Sequence, residues 1–313
     1  MKERPWVPAI LLVASFLVAG KVIPHFWDLA YLLDTATIYI EIGLLALGMT
    51  LMIVSGNIDL SVGSTLVLTA CLTAKLAEIN SSPLLIVPFA CLCGSALGLV
   101  NGVLVARLKI PSFLVTLGSM AIYRGTAQAM LGANSVKLPR NLTGLDQAHF
   151  LGVPWPLILM VVAVCGFALL LHRTVLGRWI YALGTNEKAT FFSGIPIDRV
   201  KIIVFAMAGL MAGIGALLLD SRLGVARHDL VKGIELDAIT VAVLGGAAIR
   251  GGKGSILGTC IAFMLVMVVK MAMGVANVKA EYQLTAIGSI LILAVAIDEV
   301  SRRWKLPRKQ ATA

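Results

Sequence analysis

Apolar residues run along this chain in long, nearly unbroken blocks, and the blocks set its organisation. Stretches near 7–23, 35–54, 61–77, 84–106, 112–133, 157–171, 201–219, 238–249, 255–275 and 283–298 carry few charges and predict about ten membrane-spanning helices. Roughly 20 such residues suffice to cross a hydrocarbon core of about 30 Å. Two places break the pattern. The run 238–249 holds 12 residues, about 18 Å of helix, and predicts a half helix or one extended back through 233–237. The segment Ser55-Gly56-Asn57-Ile58-Asp59-Leu60-Ser61 puts Asn and Asp between two apolar runs. Irregular backbone there is tolerable only where protein or a watery cavity satisfies it, so broken or re-entrant segments are expected. The two breaks are alike, since Ser55-Gly56 precedes Gly63-Ser64 much as Gly245-Gly246 precedes Gly254-Ser255, offset by one residue. An internal duplication of the kind transporters carry would produce this.

Composition narrows the class. Hydrophobic residues make up 59% of the 313 and charged residues 13%, against about 25% charged in soluble domains. That excludes a soluble domain, a disordered chain and a disulfide scaffold. The fold class is all-α: a polytopic helical membrane protein, with 1–313 as one transmembrane domain and no loop long enough for a soluble catalytic unit. With the amino terminus inside, Lys and Arg fall roughly two to one on the inner side, and an even number of crossings places both termini in the cytoplasm. Residues 299–313 then form a basic cytoplasmic tail. The basic start and apolar run resemble a signal sequence, but the later spans and the lack of a small-x-small pattern before Lys21 predict a retained first helix. All five Cys lie inside apolar runs and fit neither a zinc site nor a disulfide framework.

Candidate chemistry is sparse. The longest inner loop, 172–200, predicts a short helix from about Asn186 to Ser193: Thr185 or Asn186 caps it, Glu187 sits in its first turn and Gly194 stops it. Its Phe191 and Phe192 predict either a helix lying in the membrane surface or one that plugs into a groove on a cytoplasmic partner. Glu41, Arg124 and Lys270 fall inside spans, where an unpaired charge costs at least about 2.5 kcal/mol. Glu41 and Arg124 are candidates for an ion pair or for a place on a solute path. Among other polar groups Asn57, Asp59, Ser61, Asn101 and Gln128 either line a path or bond neighbouring helices, and Asp59 is also a candidate cap for the helix starting near Ser61. The segment Gly251-Gly252-Lys253-Gly254-Ser255 departs from a phosphate-binding loop, with Ala247 where Gly is needed and Gly254 where Ser or Thr is needed. The four His share no metal spacing and no nucleophile elbow occurs. No metal, cofactor, nucleic acid or enzymatic activity is expected of this chain.

The run from Leu47 to Ser64, LGMTLMIVSGNIDLSVGS, resembles the signature of the monosaccharide ABC importer permeases of the ribose, xylose and arabinose type, a family that includes rhamnose and autoinducer-2 permeases. Further blocks agree: Asn101-Gly102, Lys109-Ile110-Pro111-Ser112-Phe113, Thr116-Leu117-Gly118, Arg124-Gly125, Gly184-Thr185-Asn186-Glu187, Glu235-Leu236-Asp237-Ala238-Ile239 and Gly251 through Thr259, in order over roughly 30–298. The resemblance implies a permease subunit in a bacterial inner membrane, forming the path for a monosaccharide or related polyol-like solute. It implies a second permease, same or paralogous, two cytoplasmic subunits that bind the ATP, and a periplasmic or lipid-anchored sugar-binding protein. On this reading the loop 172–200 couples to the ATPase through Asn186, Glu187, Phe191, Phe192 and Gly194. The outer loop 220–237 would then meet the binding protein through Arg222, Glu235 and Asp237. Asn57 replaces a Gly common in the family, and Lys270-Met271-Ala272-Met273-Gly274 stands where ribose-type members often show Asn-Gly-Leu, which leaves the sugar open. The alternative is an ion-coupled secondary transporter using Asp59 and Glu41.

Overall fold

The computed structural model describes residues 6–23, 25–144 and 147–305. The expected basic tail is covered as far as Lys305, where it continues the last helix; residues 306–313 lie outside the described residues. Every apolar block lies on a helix: α1 (Trp6–Val22), α2 (Leu29–Thr37), α3 (Ile40–Val54), α4 (Val62–Ile79), α5 (Pro83–Arg107), α6 (Ser112–Leu131), α7 (Trp155–Arg173), α8 (Val175–Thr185), α9 (Glu187–Phe192), α10 (Ile197–Leu223), α11 (Ile234–Leu244), α12 (Ile256–Val275) and α13 (Ala280–Lys305). Two small antiparallel ribbons tie the loops, β1 (Val136–Lys137) with β4 (Val225–Ala226) and β2 (His149–Phe150) with β3 (Val153–Pro154).

Five described helices are long and apolar enough to cross a membrane, or six if α2 and α3 form one bent span. The block expected as a single span over 35–54 bends by 63° between those two helices. Helix α6 is diluted by Ser112, Thr116, Ser119, Arg124 and Gln128, and α11 has only 11 residues. That short helix is the half helix expected at the second break, displaced toward the amino terminus: it starts at Ile234 and ends at Leu244. The chain is thus a multi-pass helical membrane protein.

Helix α3 is the centre. All 15 of its residues are buried, as expected of a helix that is apolar on every side. It packs against α10, α11 and α12, while α4 packs on α6 and α10, and α1 on α12. The most extensive helix contact is between α5 and α10, along a seam of glycines four residues apart. A Cβ at Gly94 would stand 2.8 Å from Gly213 Cα, and one at Gly209 would stand 3.0 Å from Gly98 Cα. Lipid gives no hydrophobic drive for helices to associate, so close backbone approach through small residues supplies the packing instead.

The two breaks share one backbone solution. After α3, Gly56 has φ +80°, its N–H donates to Ile53 O at 2.9 Å and the Asn57 N–H donates to Met52 O at 2.9 Å. After α11, Gly246 has φ +92°, its N–H donates to Val243 O at 2.9 Å and the Ala247 N–H donates to Ala242 O at 3.0 Å. Both are Schellman ends with a left-handed glycine just beyond the helix. The two hairpins also touch, since the Thr50 and Thr259 hydroxyls share a 2.7 Å hydrogen bond.

Candidate functional site

Polar side chains gather beside the first break. Asp59 Oδ1 accepts from the Ser61 N–H at 2.8 Å and from the Ser61 hydroxyl at 2.6 Å, so Asp59 does fix the chain where α4 begins. The Asn101 amide of α5 donates to Ser61 Oγ at 2.8 Å. Its carbonyl accepts from the Ser119 hydroxyl at 2.5 Å and from the Tyr123 hydroxyl at 3.3 Å, both on α6. Asn57 turns to its own helix end, donating to Ser55 Oγ at 3.0 Å. Asn57, Asp59, Ser61 and Asn101 are all buried, Asn101 and Ser61 completely. Gln128 does not join them: it sits on the exposed face of α6.

Sequence reasoning missed the α6 half of this network. The signal was present, because Ser112, Thr116, Ser119 and Tyr123 are spaced three or four residues apart and so share one helix face. Ser112 and Thr116 hold the break itself: Ser112 Oγ accepts from the Ile58 N–H and the Thr116 hydroxyl donates to Ile58 O, both at 3.3 Å. The irregular backbone is thereby satisfied by protein.

A second cluster lies where both breaks meet the segment after α7. The Gly252 N–H donates to Val54 O at 2.8 Å, and the Tyr181 hydroxyl donates to Gly254 O at 2.6 Å. A Cβ at Gly251 would stand 2.6 Å from Gly184 O. The region 172–200, expected as a loop with one short helix, instead contains α8 and α9, and α8 buries Gly177, Ile180 and Leu183. The short helix itself is α9, with the Asn186 side chain accepting from the Ala189 N–H at 3.0 Å and Gly194 following at φ +76°. Phe191 and Phe192 are 65% and 85% exposed, and Glu187 pairs with Lys201 at 2.6 Å. Beside them lies a cleft of about 950 Å³, lined by Lys109, Lys188, Phe191, Phe192 and Asp198 and reaching Asn57 at the break.

The ionisable residues are arranged differently from expectation. Glu41 does not pair with Arg124; Arg222 Nη2 reaches its carboxylate at 2.8 Å. Lys270 pairs with Asp237 at 2.7 Å. Both pairs border a cavity of about 170 Å³ with Lys232. The outer loop expected over 220–237 is therefore much shorter. Arg222 belongs to the last turn of α10, and Glu235 and Asp237 to the first turn of α11. Asp237 is 6% exposed and Asp220 completely buried. Burying these carboxylates in helices that pack on α3 and α4 takes them out of any exposed docking surface. The charge left exposed between α10 and α11 is Lys232 and the pair of Arg227 with Asp229 at 2.6 Å, where the guanidinium holds the Asp229 carboxyl below its ordinary range.

Comparison with known proteins decides the family. Residues 31–295 match the family model described as the permease component of the branched-chain amino acid transport system. The ribose import permease RbsC of Escherichia coli K12 is 33% identical over 95% of this chain and 94% of its own length. The chain belongs to this permease family. RbsC of Bacillus subtilis is 36% identical over 82% of the chain and 80% of its own length. The autoinducer 2 import permease LsrD of Escherichia coli O9:H4 is 35% identical over 96% of the chain and 92% of its own length. No solved structure matches. Membership makes the chain a transmembrane permease subunit of an ABC importer, a transport component rather than an enzyme. Importers of this kind join a permease to an ATPase and a substrate-binding protein.

Proposed function

We propose that this permease carries a monosaccharide or a related polyol-like solute across a bacterial inner membrane, energised by a separate ATPase subunit that binds the ATP. The observation that carries this reading is the buried network of Asp59, Ser61, Asn101, Ser119 and Tyr123 beside the break. It joins hydroxyls and an amide in a chain whose relatives are named for ribose and autoinducer 2 import. A neutral, hydroxyl-rich solute needs dipoles more than net charge. The chain crosses about ten times with both termini inside, two permeases form the path together, and a binding protein delivers the solute to the side bearing Arg227 and Asp229. On the opposite side Phe191 and Phe192 of α9 dock into the ATPase.

Reconstitution of the permease with its ATPase and binding protein in proteoliposomes tests this. Uptake of labelled ribose, xylose, arabinose or rhamnose should persist with a proton uncoupler while ATP remains, and stop when the ATPase is inactivated. Uptake that follows the ion gradient instead would favour the ion-coupled alternative. Burying two Phe side chains stabilises an interface by about 1.5 to 3 kcal/mol each. Phe191→Ala with Phe192→Ala should therefore abolish co-purification of the ATPase, and unchanged co-purification would remove α9 from the coupling role.

A further inference from the structure

Four helices meet around the cavity of about 170 Å³. Glu41 stands in the first turn of α3, Arg222 in the last turn of α10, Asp237 in the first turn of α11, and Lys270 on α12. All four side chains line this one space, as ion pairs of 2.8 Å for Glu41 with Arg222 and 2.7 Å for Asp237 with Lys270. The large cleft beside α9 adjoins the other end of α10, at Ile197 and Asp198. Helix α10 has 27 residues, about 40 Å. The cavity and the cleft therefore lie at opposite ends of a helix long enough to cross the membrane.

The pairs leave hydrogen-bonding capacity unused. Arg222 Nε and Asp237 Oδ1 are buried without a partner, although Lys270 holds the other Asp237 oxygen. An unpaired buried polar atom is destabilising and calls for an explanation. Both residues line the cavity, so a small turn of either side chain brings its orphan atom onto a group bound there. The Arg222 and Lys270 side chains also stay 19% and 15% exposed, which leaves their remaining N–H groups within reach. Net charge on the wall is small. Two of its three cations face carboxylates, and the third, Lys232, is exposed at the rim beside Ile38. The wall thus offers N–H donors together with a carboxylate acceptor. Hydroxyls, which both donate and accept, match that mixture better than a free anion or cation does. The volume equals about six water molecules at about 30 Å³ each, the bulk of one sugar ring rather than two.

We infer that this cavity is a solute subsite on the side of the permease bearing Arg227 and Asp229, where Arg222 and Lys270 donate to, and Asp237 accepts from, the hydroxyls of one neutral monosaccharide. The inference rests on the sugar-import reading and adds the side chains that receive the cargo. Losing one hydrogen bond to a charged group lowers occupancy roughly tenfold to a hundredfold.

Two measurements test it. In the first, Ile38→Cys is introduced at the rim, and the permease with its ATPase in proteoliposomes meets a water-soluble thiol reagent at rising ribose, xylose, arabinose or rhamnose, with sucrose as the oversized control. Mass spectrometry reads modification at residue 38, and the same four sugars are screened for ATP-driven uptake with the binding protein present. The transported sugar should slow labelling about tenfold or more, and sucrose should not. Uptake without protection, or equal slowing by sucrose, overturns the subsite and leaves the import reading intact. Protection only by sugars that are not carried overturns the subsite as part of the route; neither uptake nor protection overturns both readings. In the second, Arg222→Lys and Asp237→Asn are compared with wild type for uptake of the sugar and of its single-deoxy forms, at saturating loaded binding protein. Whatever the binding protein selects cancels in the ratio. Each variant should slow the full sugar about tenfold or more and one deoxy form far less, because that form lacks the hydroxyl the altered side chain held. An equal loss for every sugar would show purely structural ion pairs and overturn the proposal. The labelling alters neither pair, so it decides the matter where a variant does not assemble.

Discussion

The hairpins α3–α4 and α11–α12 end their first helices with the same Schellman bonds and the same left-handed glycine, yet beyond that point they differ. After Gly56 the chain carries Asn57, which bonds back to Ser55, and then Asp59 and Ser61, which bond to each other and, through Asn101, to α5 and α6. After Gly246 it carries Ala247, Ala248, Ile249 and Arg250 and then the glycines 251, 252 and 254, where a Cβ at Gly251 would stand 2.6 Å from Gly184 O and the Gly252 N–H donates to Val54 O. One break is lined by polar side chains of its own and the other is covered chiefly by close backbone contacts of its glycines. The difference teaches that a shared helix stop fixes only where a helix ends. The residues just beyond the stop decide whether the exposed backbone is covered by polar side chains or by close contact with another segment.

The sharpest way to break the comparison is Gly251→Ala. It adds a Cβ 2.6 Å from Gly184 O at a residue with φ +86°, combining backbone strain of about 1 to 3 kcal/mol with overpacking of about the same size. Thermal unfolding of the purified protein in detergent should show a loss above about 3 kcal/mol, and a smaller loss would mean that the glycine contact yields easily. Next comes Ala247→Asn, which copies the first break into the second. Asn57 donates to Ser55 Oγ, but Gly245 stands at the matching place, so the new amide is buried without that hydroxyl at a cost of about 1 to 3 kcal/mol. A neutral outcome in the same assay would show that the second break can host polar side chains too.

Gly56→Ala and Gly246→Ala sharpen the likeness. A left-handed residue with a Cβ costs about 1 to 2 kcal/mol. The nearest atom to a Cβ at Gly56 is 3.5 Å away, and none lies within 4 Å at Gly246. The two losses should therefore agree within about 0.5 kcal/mol, the limit within which distant sites behave independently. Smallest of all is Asn57→Ala, which removes a hydrogen bond inside a membrane protein and should cost only about 0.6 kcal/mol. Ser55 keeps its own bond to Met52 O at 2.7 Å, so a loss several times larger would show that Asn57 supports more than its helix end.

The sequence by itself determined the elements. Apolar blocks demand helices because lipid offers the backbone no partner, and Gly56, Gly194 and Gly246 mark helix ends because few other residues adopt positive φ. The concentration of Asn57, Asp59, Ser61 and Asn101 near one break was legible for the same reason: polar side chains inside apolar runs must find each other. Partnership between charges was not legible. Glu41 and Arg222 are 181 residues apart in the chain and meet only because α10 lies against α3. The burial of Asp237, expected on the surface, was likewise hidden from the sequence, since its place in the first turn of α11 depends on where that helix starts and on what it packs against. Tertiary structure chose the partners because ion pairing depends on through-space distance, and hydropathy along the chain records only which residues avoid water.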